Sequence, residues 1–235
     1  MCGRYTLIED SENLDRWFEA VFEEVENLEP NYNVAPTHMM PVIRQTEQKR
    51  RVIERYSWGL LPYWAKERKI GYNMINARAE TLDSKRSFKT YFKNQRCLVP
   101  ASGFYEWKGS KGNRIPFYIY PTHEPVFAFA GLYSLWTSPA GETVPSYTIV
   151  TTAANEKMAA LHNRMPAALL KEEWDSWLDP GNHDTDALQN LLNPFPDDAL
   201  DYYPVSREVN NVRNNNPELL ERTEGGSSVT GDLFA

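Results

Sequence analysis

Several short segments carry side chains whose types and spacing could do chemistry. The first is Cys2, directly behind Met1. Methionine aminopeptidase removes an initiator methionine when the next side chain is as small as cysteine. A free α-amine and a thiol would then sit on adjacent carbons. Such a 1,2-aminothiol condenses with an aldehyde: the amine forms an imine, the thiol adds to the same carbon, and a five-membered thiazolidine closes. The second step is intramolecular, which favours the ring. An α-amine of ordinary pKa, about 7.7–8.0, keeps a useful neutral fraction near pH 7. The plainer reading of Cys2 is a cysteine that falls at position 2 by chance.

In Gly103-Phe-Tyr-Glu-Trp107, strand alternation puts Phe104 and Glu106 on one face and Tyr105 and Trp107 on the other. A carboxylate among so many aromatics is expected to be partly desolvated, a setting that suits a general acid or base. The alternative is a surface carboxylate on an edge strand, or one paired with a buried arginine. In Asn76-Ala-Arg-Ala-Glu-Thr81 an extended backbone projects Asn76 and Arg78 to the same side. An amide beside a guanidinium suits an anionic ligand, although such residues are also common in polar loops. Leu161-His-Asn-Arg-Met-Pro166 closes a short predicted helix. There His162 is either a proton shuttle or a cap favoured by the helix dipole, and Arg164 is a candidate phosphate contact. His38, His123, His183 and Cys97 show no metal-ligand spacing, and Cys97 in Arg-Cys-Leu-Val-Pro reads as a core residue. There is no Gly-rich phosphate loop and no Gly-x-Ser-x-Gly elbow, so neither a metal nor a nucleotide cofactor is expected.

The elements that must position these residues are mostly strands. Ser11 is the expected N-cap of a helix with Leu14, Trp17, Phe18, Val21 and Phe22 on one face. Strands are predicted at Met40–Arg44, Val52–Trp58, Arg96–Val99, Gly103–Trp107, Pro116–Tyr120, Val126–Tyr133 and Ser146–Thr151. Lys108–Arg114 reads as an exposed loop. Helical patterns return at Asn155–His162, Lys171–Leu178 and Asp184–Leu192. Many strands followed by helices indicate an α+β fold rather than alternating βαβ units. No internal repeat or interior linker divides the chain, so one domain is expected over residues 2–222, with a disordered Gly/Ser-rich tail at 223–235.

Two cysteines make no disulfide framework. No apolar run approaches the ~20 residues of a membrane span, and the N-terminus has no apolar signal core. A cytoplasmic location is expected, or a nuclear one in a eukaryote. The formal net charge of −7 by itself disfavours nucleic acid, but its distribution is uneven. Residues 9–29 hold nine acidic side chains and one basic; residues 65–96 hold nine basic and three acidic. That permits a basic face for phosphates, or simply two solvated faces of opposite sign.

Taken together and in this order, Met1-Cys-Gly-Arg-Tyr5, Asn33-Val-Ala-Pro36, Trp58-Gly-Leu-Leu-Pro62 with Trp64, Asn76 to Thr81, Gly103 to Trp107, Leu161 to Pro166, Pro204-Val-Ser-Arg207 and Asn210-Asn-Val212 closely resemble the SRAP family, the SOS response-associated peptidases. The resemblance spans about residues 2–220. It implies a single SRAP-type domain with a mainly antiparallel, barrel-like β core and peripheral helices. It also implies shielding of abasic sites in single-stranded DNA, or at single-strand/duplex junctions, by a thiazolidine crosslink through the N-terminal cysteine. The matching catalytic positions are Cys2, Asn76, Glu106 and His162. Arg4, Arg78, Arg86 and Arg164 match or adjoin phosphate-contacting positions, and Trp64 lies in the segment that packs against bases. Some relatives follow that tryptophan with a second one, where this chain has Ala65. The resemblance implies a monomer acting without a cofactor in the DNA damage response. The family name keeps a thiol peptidase as an alternative, and a noncovalent single-strand binder is a third.

Overall fold

The computed structural model describes residues 2–23, 28–110 and 112–224. In chain order its strands are β1 (Tyr5–Leu7), β2 (Val21–Phe22), β3 (Asn31–Val34), β4 (Met39–Gln45), β5 (Arg51–Trp58), β6 (Asn76–Arg78), β7 (Arg96–Ala101), β8 (Gly103–Lys108), β9 (Ile115–Pro121), β10 (Phe127–Thr137), β11 (Thr143–Ala153), β12 (Arg164–Pro166) and β13 (Leu200–Pro204). The α-helices are short: α1 (Ser11–Phe18), α2 (Lys89–Asn94), α3 (Glu156–Ala159), α4 (Trp174–Leu178) and α5 (Thr185–Gln189). The α+β expectation holds, with the antiparallel β core dominant.

Five strands close into a barrel. β5 pairs with β4, β4 with β7, β7 with β10 and β10 with β11, all antiparallel, and β11 returns to β5. A closed ring with an odd number of strands cannot alternate direction at every joint, so one joint must be parallel. That joint is Ser146–Tyr147 of β11 beside Ser57–Trp58 of β5. Closure removes the open edges that a free sheet would present. A second sheet, ordered β13-β9-β8-β1-β3, packs alongside. The aromatic core joins the two sheets. Tyr5 meets Trp58 edge-on with ring centroids 5.2 Å apart, Phe104 meets Phe129 at 5.8 Å, and the Tyr5 and Tyr147 hydroxyls lie 2.7 Å apart.

The alternation read from Gly103-Phe-Tyr-Glu-Trp107 is present. Phe104 enters the main core, while Tyr105 and Trp107 join a second cluster with Tyr118, Val205, Val209 and Leu219 on the other face. Cys97 is a core residue, and its neighbour across the ladder is Gly131, where a Cβ would come within 2.8 Å of the Cys97 sulfur.

Three expectations are corrected. The first helix is capped by Asp10, whose side chain accepts from Asn13 N–H at 2.8 Å, rather than by Ser11. That helix stops at Phe18, because Glu19 is left-handed (φ 50°) and Val21–Phe22 leave to pair in parallel with Val52–Ile53. The helix expected over Asn155–His162 is one turn, with Asn155 as its cap, after which the chain becomes extended and joins β11 as β12. β1, β3, β6, β12 and β13 were not among the predicted strands; most are only three to five residues long and carry polar side chains. Lys108–Arg114 forms the β8–β9 turn, apart from Lys111, which lies outside the described residues. Of the expected tail, Thr223 donates to Pro204 O at 3.0 Å, and residues 225–235 lie outside the described residues. No helix among those described is long and apolar enough to cross a membrane.

Between β5 and β6 the chain makes an excursion, Gly59–Ile75. Its base is closed by two glycines packed backbone to backbone. A Cβ on Gly59 would meet Gly71 O at 2.6 Å, and Gly59 also has φ +128°. β6 then resumes along β11 where β5 left off.

One turn carries strain. His38 N–H bonds to Ala35 O at 3.1 Å, closing a turn whose third residue, Thr37, has φ 77°. This is the position of a type II turn that calls for Gly or Asn, and a β-branched residue there is an outlier. Thr37→Gly should relieve a left-handed cost of about 1–2 kcal/mol while adding about 0.5–1 kcal/mol of unfolded-chain entropy. The expected result is a net gain, read as a thermal midpoint about 2 °C higher. A midpoint that stays put or falls would show that Thr37 is not strained.

Candidate active site

The site starts from an N-terminal segment that is tied into the second sheet. Cys2 precedes β1, and the β1–β8 ladder reaches back to Arg4, whose carbonyl accepts from Tyr105 N–H at 3.0 Å. Cys2 is fully buried. Its carbonyl accepts from Asn76 Nδ2 at 2.7 Å, and its thiol lies 3.6 Å from Arg4 O. Burial pushes the thiol well above its ordinary pKa, and the nearby Glu106 carboxylate pushes it in the same direction. Glu106, only 4% exposed on β8, is therefore an electrostatic neighbour of Cys2. The other end of the Asn76 amide is also notable: Oδ1 is buried and accepts no hydrogen bond from the described residues. Cys2, Asn76 and Glu106 are thus brought together from three segments.

β11 carries the next part. β6 lies along one edge, with Ile149 beside Asn76 and Thr151 beside Arg78. β12 lies along the other, with Thr151 beside Pro166 and Ala153 beside Arg164. Arg164 reaches across β11 to form a two-pronged ion pair with Glu80, and it also donates to Thr151 O. That pairing holds the Glu80 carboxyl below the usual carboxylate range. Arg164 N–H donates to His162 Nδ1 at 3.0 Å. His162 is therefore oriented through Arg164, which Glu80 anchors to the segment carrying Asn76. The same nitrogen lies 3.2 Å from Arg164 O, so the tautomer sets whether Nδ1 accepts or donates there.

The remaining predicted residues sit differently. Arg4 is half-buried, and its Nη1 donates to Asn33 Oδ1 at 2.7 Å and to Val209 O at 2.8 Å. Arg78 and Arg86 are exposed and form no ion pair with another described residue. Trp64 is half-buried in the β5–β6 excursion, and its buried Nε1 has no partner among the described residues. Arg96, counted in the basic stretch, is not on the surface: its guanidinium donates to the carbonyls of Trp177, Phe92, Lys93, Asp179 and Asn182.

Residues to which the sequence reading gave no role also contribute. Glu80 lies inside the Asn76–Thr81 motif, and its place there was the available signal. Asn33 accepts from Arg4, and its amide donates to Val209, Asn211 and Asn214 carbonyls at 3.2, 3.1 and 3.0 Å, tying the late Asn-rich segment to the N-terminus. His38 stands near Arg4. Burial, and then that guanidinium, lower its pKa. Among the described residues no three His, Cys, Asp or Glu side chains converge as a metal site would require.

A buried Cys2 whose carbonyl is held by the Asn76 amide, with the Glu106 carboxylate near its thiol, defines a cysteine-centred site with arginines at its margin. The chain belongs to the SOS response associated peptidase (SRAP) family, whose model matches residues 1–212. It is 43% identical over 224 residues to the abasic site processing protein YoqW of Bacillus subtilis strain 168, covering 94% of this chain and 99% of that protein. It is 34% identical over 222 residues to the abasic site processing protein HMCES of Xenopus tropicalis, covering 82% of this chain and 66% of that protein. Among solved structures it resembles the crystal structure of a protein from Bacteroides thetaiotaomicron, with a TM-score of 0.85 and 28% identity, covering 94% of this chain and all of that one (100%).

The electrostatic contact between Cys2 and Glu106 can be measured. Glu106→Gln removes a neighbour that disfavours the thiolate, so Cys2 alkylation by iodoacetamide should titrate at lower pH than in the wild type. Cys97, raised by burial alone, is the internal control and should not shift. An unchanged Cys2 titration would contradict the assigned contact.

Proposed function

We propose that the protein captures abasic sites in single-stranded DNA as a covalent crosslink through Cys2, exposed as the N-terminal residue once Met1 is removed. The observation that carries this reading is the Asn76–Cys2 hydrogen bond of 2.7 Å, which holds the reacting residue beside Glu106. The names of the relatives YoqW and HMCES, abasic site processing proteins, support it.

The reaction joins an aldehyde and an aminothiol and releases one water. The Glu106 carboxylate takes the proton of the C1′ hydroxyl and returns one to the ring oxygen of the closed abasic sugar, so that the bond between C1′ and the ring oxygen breaks and C1′ becomes an aldehyde. The Cys2 amine adds to C1′, and the carbinolamine loses water to give an imine, with Glu106 or His162 moving the protons. The Cys2 sulfur then adds to C1′ while its proton passes to nitrogen, closing the thiazolidine before β-elimination can cut the strand. Asn76 Oδ1, buried and unbonded, is the acceptor available to orient the free amine. His162, held through Nδ1 at Arg164, moves protons in closure and in its reversal. Arg78 and Arg86 supply sequence-independent phosphate contacts, and Trp64 supplies a surface for bases.

The thiol's environment favours this route over peptide hydrolysis. A peptidase cysteine works as a thiolate with a lowered pKa. Cys2 is raised instead, by burial and by a carboxylate. In the crosslinking route the amine attacks first, so a neutral thiol suffices at the start.

The test is denaturing electrophoresis of the mature protein with a uracil-containing oligonucleotide treated with uracil-DNA glycosylase. A denaturant-resistant band is expected with the abasic strand alone, and Cys2→Ala should abolish it. Glu106→Gln and His162→Ala should slow formation or reversal by about 10²–10⁴-fold, the usual range for proton transfer, with DNA affinity retained. No band from protein with a verified free Cys2 would sink the proposal. Equal loss of binding in the two proton-transfer variants would sink their roles.

A further inference from the structure

On the face of β8 opposite Glu106 lies a cavity of about 400 Å³, lined by Trp107, Gly112, Arg114, Arg207 and Asn210. Both arginines are exposed, and neither forms an ion pair with another described residue. In a chain of formal net charge −7, two unneutralised guanidinium groups at one cavity form a local reversal of sign. The lining is also held in place. Arg207 Nη2 donates to Asn113 Oδ1 at 2.7 Å, and Trp107 Nε1 donates to Asn210 Oδ1 at 2.8 Å. The rim is open at Gly112, where a Cβ would meet nothing within 4 Å.

The cavity is linked to the N-terminal segment through Asn210. The Asn210 residue whose side chain holds the Trp107 indole also accepts, through its carbonyl, from Arg4 Nη2 at 3.4 Å. Arg4 is two residues from Cys2, and Trp107 follows Glu106 directly. The guanidinium forks match phosphate oxygens, and an indole offers a flat apolar surface to a base or sugar. An acidic peptide would satisfy the charge but has no use for the link through Asn210 to the segment that carries Cys2.

We propose that this cavity is a further phosphate-binding subsite of the DNA track, in which Arg114 and Arg207 grip the backbone of the strand flanking the lesion. It rests on the reading that the Cys2 site takes DNA. Each arginine then neutralises one phosphate of the same strand that Arg78 and Arg86 hold elsewhere.

The test is fluorescence anisotropy of the wild type and of an Arg114→Ala/Arg207→Ala double variant with a labelled, undamaged single strand across a sodium chloride series. Loss of two phosphate contacts on single-stranded DNA should reduce the slope of log affinity against log salt by about 1.4 and weaken binding about 25-fold near 0.1 M salt. Crosslinking of a saturating abasic strand should keep its wild-type rate, and the thermal midpoint should confirm folding. Arg16→Ala, on α1, should leave the slope unchanged. A double variant with the wild-type slope would overturn the subsite while leaving the Cys2 reading intact. A slope lowered as much per residue by Arg16→Ala would also overturn it, because the effect would then be one of overall charge. A wild type that neither binds undamaged strand nor crosslinks abasic strand would overturn both.

Discussion

Chain termini are ordinarily where a domain frays, yet a site built on residue 2 requires this one to be still. The constraint is met by placing β1 inside its sheet, with β8 on one side and β3 on the other. Hydrogen bonding continues backward from the strand to Arg4, and Tyr5 is sealed against Trp58 and Tyr147. The Cys2 carbonyl is then fixed by Asn76, and the Arg4 side chain by Asn33 and the carbonyls of Val209 and Asn210. The late Asn-rich segment therefore acts on the first residues of the chain across more than two hundred positions, and the sheet cannot be dissected from the site it carries.

The barrel's odd strand count has a consequence for the same site. Its one parallel joint lets β6 continue the line of β5 along β11 after an excursion whose base is pinched by Gly59 and Gly71. Asn76 is delivered to Cys2 on that strand, and Glu80 just beyond it reaches Arg164 over β11. An amide from one edge of β11 and an imidazole from the other thus share one support. Removing Glu80 would leave a largely buried guanidinium without its charge partner, which costs more than the loss of a surface ion pair.

Charge works by placement rather than sum. Lys66, Arg68, Lys69, Arg78, Lys85, Arg86, Lys89 and Lys93 of the basic stretch are exposed, while Arg96 is withdrawn to tie α2 and α4 to the barrel through backbone carbonyls. Arg68 and Lys69 are paired with Glu142 and Glu67, whereas the other six, Arg78 and Arg86 among them, form no ion pair with another described residue.

The sequence by itself determined the family, the strand-rich composition of the fold, the face alternation around Glu106, and the residue types able to do aldehyde chemistry. These are local properties: side-chain period, residue size after Met1, and motif order. Short polar strands such as β3, β6 and β12 were not legible, because their extended backbone comes from ladder partners distant in sequence rather than from their own preference. The end of α1 at Phe18 was missed for a related reason. Val21 and Phe22 continue a helical period, but parallel pairing with β5 holds them instead. Only tertiary structure decided that Arg164 faces Glu80, that Asn33 grips the N-terminal segment, and that Asn76 touches Cys2. Each of those contacts joins segments between about thirty and two hundred residues apart, and barrel closure, not spacing along the chain, sets which side chains meet.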